Sequence, residues 1–227
     1  MSKNKQSAWI EIFKQLPVGE YVEAAIDSGL EDEVLKSVPF VSSLNGVYKG
    51  IEAYKKVKLR KKAEAFFNAA EEGLESKEIV EYVEKLDLDE KENFCEQLLD
   101  LVERLESDQK AMIAGVAMNR LMKGEISKDV FSDQSQFLNY IPIISIFNFM
   151  HGYHNVEVLK DSLGDALAAH KIVRRDISLE DVTGWGLSQK VETKIKIDYR
   201  ITPIGMEFLK TLHHAYKDKI EPEYLVI

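Results

Sequence analysis

From Trp9 to Leu167 the apolar residues of this chain recur three and four positions apart, and between Val191 and Tyr199 they alternate strictly. A side-chain period of 3.6 lines one stripe of a helix, whereas a period of two lines one face of a strand. The chain is therefore expected to be helical for most of its length, with strands only near its end. Trp9, Ile12, Phe13 and Leu16 mark a first helix stopped by Pro17, and Val22, Ala25 and Ile26 a second one closed by Gly29. A long pattern runs from about Val41 to Ala70 through Leu44, Val47, Tyr48, Ile51, Tyr54, Val57, Phe66 and Phe67.

Capping residues divide the chain beyond Ala70. Ser76 precedes Ile79, Tyr82, Val83 and Leu86, and Asp89 with Glu92 has the spacing of a capping box before Leu98, Leu101, Val102 and Leu105. Ser107 and Ser127 are the expected caps of two further helices, with Gly124 ending the first of them. After Asn155 come a helix with Leu159, Leu163 and Leu167, a short strand at Lys171–Arg175 and a polar loop around Gly184-Trp185-Gly186. Val191, Thr193, Ile195, Ile197 and Tyr199 then alternate with Glu192, Lys194, Lys196 and Asp198, which predicts a half-buried strand in a hairpin. Thr202-Pro203 is a cap followed by proline at the first helical position. The expected architecture is mainly α: a helical bundle domain over 1–154, then a small α+β module over 155–227 in winged-helix order.

Composition narrows the class. With 227 residues, 45% of them hydrophobic, the chain can bury a core without covalent staples. A single cysteine, Cys95, excludes an internal disulfide framework and fits a reducing, cytoplasmic setting. The opening MSKNKQSAWIEIFKQ lacks the apolar core of a signal peptide, and no run of 18 apolar residues is present to span a bilayer. The formal charge is -9 and is laid down in blocks. Residues 48–62 hold seven basic side chains against Glu52 alone, and residues 71–108 hold 15 acidic against four basic. Such blocks describe surfaces rather than a fold.

These residues carry two resemblances. Tyr199-Arg-Ile-Thr-Pro-Ile-Gly-Met-Glu-Phe-Leu is similar to the common winged-helix ending, in which the wing strand runs into a Leu-Thr-x-x-Gly-like turn and the last helix. The middle of the chain resembles a group of uncharacterised bacterial helical proteins. It shares with them a proline-containing apolar segment (Val34 to Leu44), a lysine-rich helix and a Gly-x-Ile-Ser-x-x-x-Phe signature, here Gly124 to Phe131. The resemblance implies a helical domain with a winged-helix-like tail. It carries no settled activity, and it points toward a defence or stress role, phage defence among them.

Several segments are candidates for function. Lys190, Lys194, Lys196 and Arg200 along the wing are the nucleic-acid contacts expected if the module binds DNA. Against that, the segment 157–227 carries 11 basic and 12 acidic residues, and its candidate recognition helix holds Glu157, Asp161 and Asp165 against Lys160. Phosphate contacts need clustered positive charge, so DNA binding ranks below protein contact. Ser42, Gly46, Gly50 and Ala53 form a small-residue stripe suited to a close helix–helix contact; with the basic block after it, this helix is also a candidate for an anionic membrane surface. The apolar run Phe137 to Met150, with Phe137, Ile141, Ile144 and Phe147, is either a buried connecting helix or a self-association face. His151 and His154 have a spacing seen in metal sites but lack companion ligands, and Cys95 sits among Glu90, Glu92 and Glu96, which disfavour its thiolate. No glycine-rich phosphate loop or nucleophile elbow is present.

These readings lead to a non-enzymatic protein that works by association with itself or with a protein partner. No metal, cofactor or small-molecule substrate is expected. A DNA-binding regulator and a membrane-acting effector are the alternatives.

Overall fold

The long helical pattern becomes α1, Leu44–Ala70, followed by α2 (Ser76–Glu84), α3 (Leu88–Arg104), α4 (Asp108–Met122), α5 (Lys128–Tyr140), α6 (Ile143–Gly152) and α7 (Asp161–Ala169). The alternating pattern becomes β2 (Val191–Ile201), which pairs with β1 (Val173–Thr183), and α8 (Pro203–Ala215) follows before two short 3-10 turns. These ranges come from a computed structural model that describes residues 44–155, 159–183 and 191–226. The two helices expected before Leu44, Ser42, and the loop around Gly184-Trp185-Gly186 lie outside the described residues. Among the described residues the chain is mainly helical with one small two-stranded antiparallel sheet. Contacts divide it into two compact units, the first ending at Ser135 and the second beginning at Gln136.

Local signals explain most boundaries. Ser107 and Ser127 accept the backbone N–H of Lys110 and Val130, at 3.2 and 3.3 Å, as their positions predict. Gly124, at φ 73, turns the chain after α4 in a conformation open to glycine. Two helix starts differ from expectation. The capping box of α3 is Asp87 with Glu90, two residues early: Asp87 accepts the Glu90 N–H at 2.8 Å and Glu90 takes the Asp87 N–H at 3.4 Å. The acid spacing occurs twice in register, and the upstream copy caps. α2 likewise begins after Glu75, whose N–H donates to Glu78 at 2.7 Å, so Ser76 is already helical.

In the first unit α1 and α4 meet at backbone distance. A Cβ on Gly115 would run into the Phe66 carbonyl oxygen and stand 2.9 Å from the Ala69 Cβ. Ala111, one turn before Gly115, keeps that α4 face low, and Phe66 and Ala70 are wholly buried. Two polar side chains then close helix ends. Asn119 donates to the carbonyls of Ala70 and Glu72 at 2.8 and 2.9 Å, satisfying the end of α1. Lys62 donates to those of Glu103 and Leu105 at 2.6 and 2.9 Å, where the end of α3 favours a cation. Burial pushes the Lys62 pKa down, helped by Lys58 and opposed by Glu103.

The second unit is built on Phe208 of α8. Phe149 stacks on it at 6.4 Å between ring centroids and Phe137 meets it edge-on at 5.5 Å. Leu138, Ile146, Leu167, Leu209 and Leu212 are wholly buried around them. Thr202 caps α8 as expected, accepting the Gly205 N–H at 3.0 Å, with Pro203 at the first turn. Near the other end of α8, His213 is fully buried. Its Nδ1 accepts the Val226 N–H at 2.8 Å, which leaves Nε2 to donate to the Met150 carbonyl at 3.3 Å. Both ring nitrogens are engaged in the neutral tautomer.

The packing of each unit generates one prediction. Gly115→Ala forces α1 and α4 apart and should destabilise the protein by roughly 1–3 kcal/mol, the usual cost of overpacking; a lowered thermal midpoint checks it. For His213, burial holds the pKa below its ordinary 6.5, the Met150 carbonyl opposes this, and His151 and His214 add to it. The unfolded chain then gains a proton below about pH 6.5 that the fold resists, so stability is full above that value and is lost as the pH falls toward the folded pKa. Urea midpoints at pH 7.5 and 5.5 should drop more for the native chain than for His213→Gln.

Candidate association surface on the β-hairpin

The hairpin owes its length to a pattern longer than the Lys171–Arg175 strand that the sequence suggests. In β1, Ile177 and Leu179 alternate with Ser178 and Glu180, and the antiparallel register sets Ile177 opposite Ile197 and Leu179 opposite Ile195. These two rows have aliphatic cross-strand partners, and the ladder continues past them to Thr183 opposite Val191. At the base the same face is covered by α7. A Cβ on Gly164 would approach the Tyr199 ring to 2.7 Å, so α7 lies directly against that ring and Tyr199 is buried. Asp165, next along α7, accepts the Tyr199 hydroxyl at 2.7 Å and Arg175 Nη1 at 2.9 Å. The Tyr199 hydrogen bond, then the Arg175 hydrogen bond, hold the Asp165 carboxyl below its ordinary range.

Beyond this clamp the aliphatic face is open. Ile177 is 62% exposed, Leu179 73%, Ile195 70% and Ile197 39%. This corrects the half-buried strand expected from the alternation: Tyr199 is buried at the base, whereas Ile195 and Ile197 face solvent. Four large aliphatic side chains in two adjacent rows are not the scattered apolar residues that any surface carries. Burying each such side chain is worth about 1.5–3 kcal/mol, and a contiguous exposed patch marks an interaction site or an aggregation risk.

The opposite face is charged and largely self-neutralised. Arg200 Nε lies 3.0 Å and Arg174 Nε 3.4 Å from Asp176, and Lys196 Nζ lies 3.5 Å from Asp198. Lys194 stands opposite Glu180 in the register. Thus Lys194, Lys196 and Arg200 do share one face, but two of them are ion-paired with neighbouring aspartates; Lys190 lies outside the described residues. β1 carries two basic and three acidic residues and β2 three basic and two acidic, so the two strands together carry no net charge.

The other candidate residues are dispersed. Phe137 and Ile141 are buried, Phe147 is half-buried with its ring edge-on to Tyr216 at 5.4 Å, and Ile144 is 62% exposed. The four do not make one surface. Gly46, Gly50 and Ala53 lie in α1, but their packing, like Ser42, is outside the described residues. His154 stacks on Tyr224 at 4.8 Å, and Tyr153 donates to the Tyr224 carbonyl at 3.0 Å, so this pair holds the C-terminal segment. Among the described residues no three metal-ligating side chains converge, and no helix is long and apolar enough to cross a membrane. A shallow depression of about 200 Å³ between Leu86, Phe94, Gln97 and Lys128 is smaller than the roughly 300–1,000 Å³ of typical ligand sites. Comparison with protein-family models, curated proteins and solved structures gives no match.

Sequence reasoning missed Ile177, Leu179, Asp165 and Arg175 as parts of the site. The period-two signal in Ile177-Ser-Leu-Glu was present but short. The clamp joins residues 10 and 34 positions apart and has no local signature.

Asp165→Ala should loosen the hairpin base. Hydrogen exchange is expected to lose protection around Arg175 and Tyr199 while α8 keeps its own. The depressed carboxyl gives the sign in the native chain: the clamp is complete above the ordinary carboxylate pKa and fails as the pH falls through the folded value.

Proposed function

We propose that the protein acts by protein–protein association, without catalysis, and that the β-hairpin is its docking element. The exposed double row Ile177/Ile197 and Leu179/Ile195 is the observation that carries this reading. We read α7, β1, β2 and α8 as a winged-helix-like module whose wing meets protein; the helix–strand–strand–helix order supports it, as does the Thr202-Pro203 start of the last helix. A cytoplasmic setting and a defence or stress role fit the lone cysteine and the resemblance of the Gly124 to Phe131 segment.

Nucleic acid ranks second because the basic residues of the hairpin are balanced within it. A face that neutralises phosphates should hold cations in excess. Here Asp176 lies beside both Arg174 and Arg200.

A photo-crosslinking residue in place of Leu179, introduced in native host cells, tests the reading. The expected product is a protease-sensitive adduct larger than the chain. An adduct destroyed by nuclease would move the function to nucleic acid, one recovered with lipid would move it to a membrane, and no adduct at all would sink the association reading.

A further inference from the structure

We propose that His213 is a proton-operated latch: its neutral ring holds the segment 217–226 against the second unit, and its protonated ring releases that segment while α8 stays folded. This goes beyond the association reading and does not depend on it.

The hydrogen bonds of the ring dictate which side yields. Nε2 donates to the Met150 carbonyl at 3.3 Å, and does so in the neutral and the protonated ring alike. Nδ1 accepts the Val226 N–H at 2.8 Å only while it carries no proton. A second proton sets two donors against each other at that contact, inside a site where the ring is fully buried. The Met150 side has nothing to relieve, because a charged donor strengthens its bond. On the other side, withdrawal of Val226 ends the clash of donors and lets water reach the new Nδ1–H in one movement.

The segment can move without the core. From Lys217 to Tyr224 its residues are exposed apart from half-buried Ile220, and its only regular structure is the two 3-10 turns Lys217–Lys219 and Pro222–Tyr224. The Tyr153 hydroxyl on the Tyr224 carbonyl and the His154 ring on the Tyr224 ring also hold it, both at exposed positions where water competes. The charges that act on His213 are those of His151, beside the accepting carbonyl of Met150, and of His214 on α8; positive charge on either disfavours a proton on the ring. On α8, Glu207 and Lys210 lie 3.2 Å apart as an ion pair, and the segment's Asp218, Glu221 and Glu223 are exposed. Among the described residues no carboxylate acts on the ring, so its proton is accommodated by opening rather than by an ion pair.

The test uses the full chain, labelled with nitrogen-15 and titrated from about pH 7.5 down to acid unfolding. Amide relaxation reads the order of Leu225 and Val226, and the His213 ring signals read its protonation. Both amides should lose order with the midpoint of the His213 ring, while those of Leu209 and Leu212 on α8 keep theirs. His213→Gln, whose side-chain oxygen and amide replace both bonds of the neutral ring, should keep the segment ordered across that range, and His154→Gln should leave the release in place. Val226→Pro removes the latched N–H without altering the buried ring. Its segment should be loose already at about pH 7.5, and its His213 should titrate about half a pH unit higher, roughly a threefold gain in proton affinity, because proton and segment weaken each other by the same factor. A protonated ring with Val226 still ordered would overturn the proposal. So would loss of α8 together with the segment, release in His213→Gln at the native midpoint, loss of the pH dependence in His154→Gln, or an unchanged His213 midpoint in Val226→Pro.

Discussion

The close approach of α7 to the base of the hairpin at Gly164 is the contact on which the exposed rows depend. Any Cβ there would run into the Leu159 carbonyl oxygen and press on the Tyr199 ring, so glycine is what lets α7 keep both the Leu159 backbone and the base of β2 this close. Once the ring is seated, its hydroxyl reaches Asp165, and Asp165 also takes Arg175 from the opposing strand. Three residues from three elements thereby fix one end of an 11-residue ladder. A two-stranded hairpin alone is marginal in water, and packing against a helix is what makes one persist. The clamp supplies that packing for the first rows only; the rows beyond it depend on their cross-strand pairs.

That division of labour accounts for the exposed aliphatics. Ile177 with Ile197 and Leu179 with Ile195 stabilise the distal ladder by side-to-side contact, while their solvent-facing surface contributes nothing to the isolated hairpin. Polar β-branched residues such as threonine would hold the strands nearly as well without the apolar exposure. The choice of Ile and Leu at four adjacent positions is therefore a cost to the lone chain that a covered face would recover.

That the described chain is mainly helical with a small sheet near its end was legible in the sequence, because helix period and cap chemistry are local. The start of α4 at Ser107, the turn at Gly124 and the Thr202-Pro203 entry to α8 are each set by residues within one turn of the feature they control. Burial was less legible. Alternation at Val191–Tyr199 identifies a strand and its two faces, but whether the apolar face is covered depends on residues elsewhere in the chain. Tyr199 is covered by α7 and Ile195 is not. The close helix contact shows the same limit. A stripe of small residues at 42, 46, 50 and 53 stands out in the sequence, whereas Gly115 is an isolated glycine in an apolar helix. Its meaning comes from Phe66, 49 positions upstream, whose carbonyl occupies the space a Cβ would need.

Charge decides which class of partner the exposed face suits. A nucleic-acid ligand presents a dense line of phosphates, and affinity for it grows with each unpaired cation that the surface offers. The hairpin offers few: its arginines at 174 and 200 converge on one carboxylate, Asp176, and Lys196 lies beside Asp198. The dominant feature left on it is apolar, and apolar surface is recognised by other apolar surface through loss of water rather than by charge. Neutral rims of this kind lower the electrostatic barrier to approach without supplying attraction. Binding at such a face therefore depends on shape and burial at the two aliphatic rows, and little on salt, which is the opposite of what a phosphate-binding wing would show.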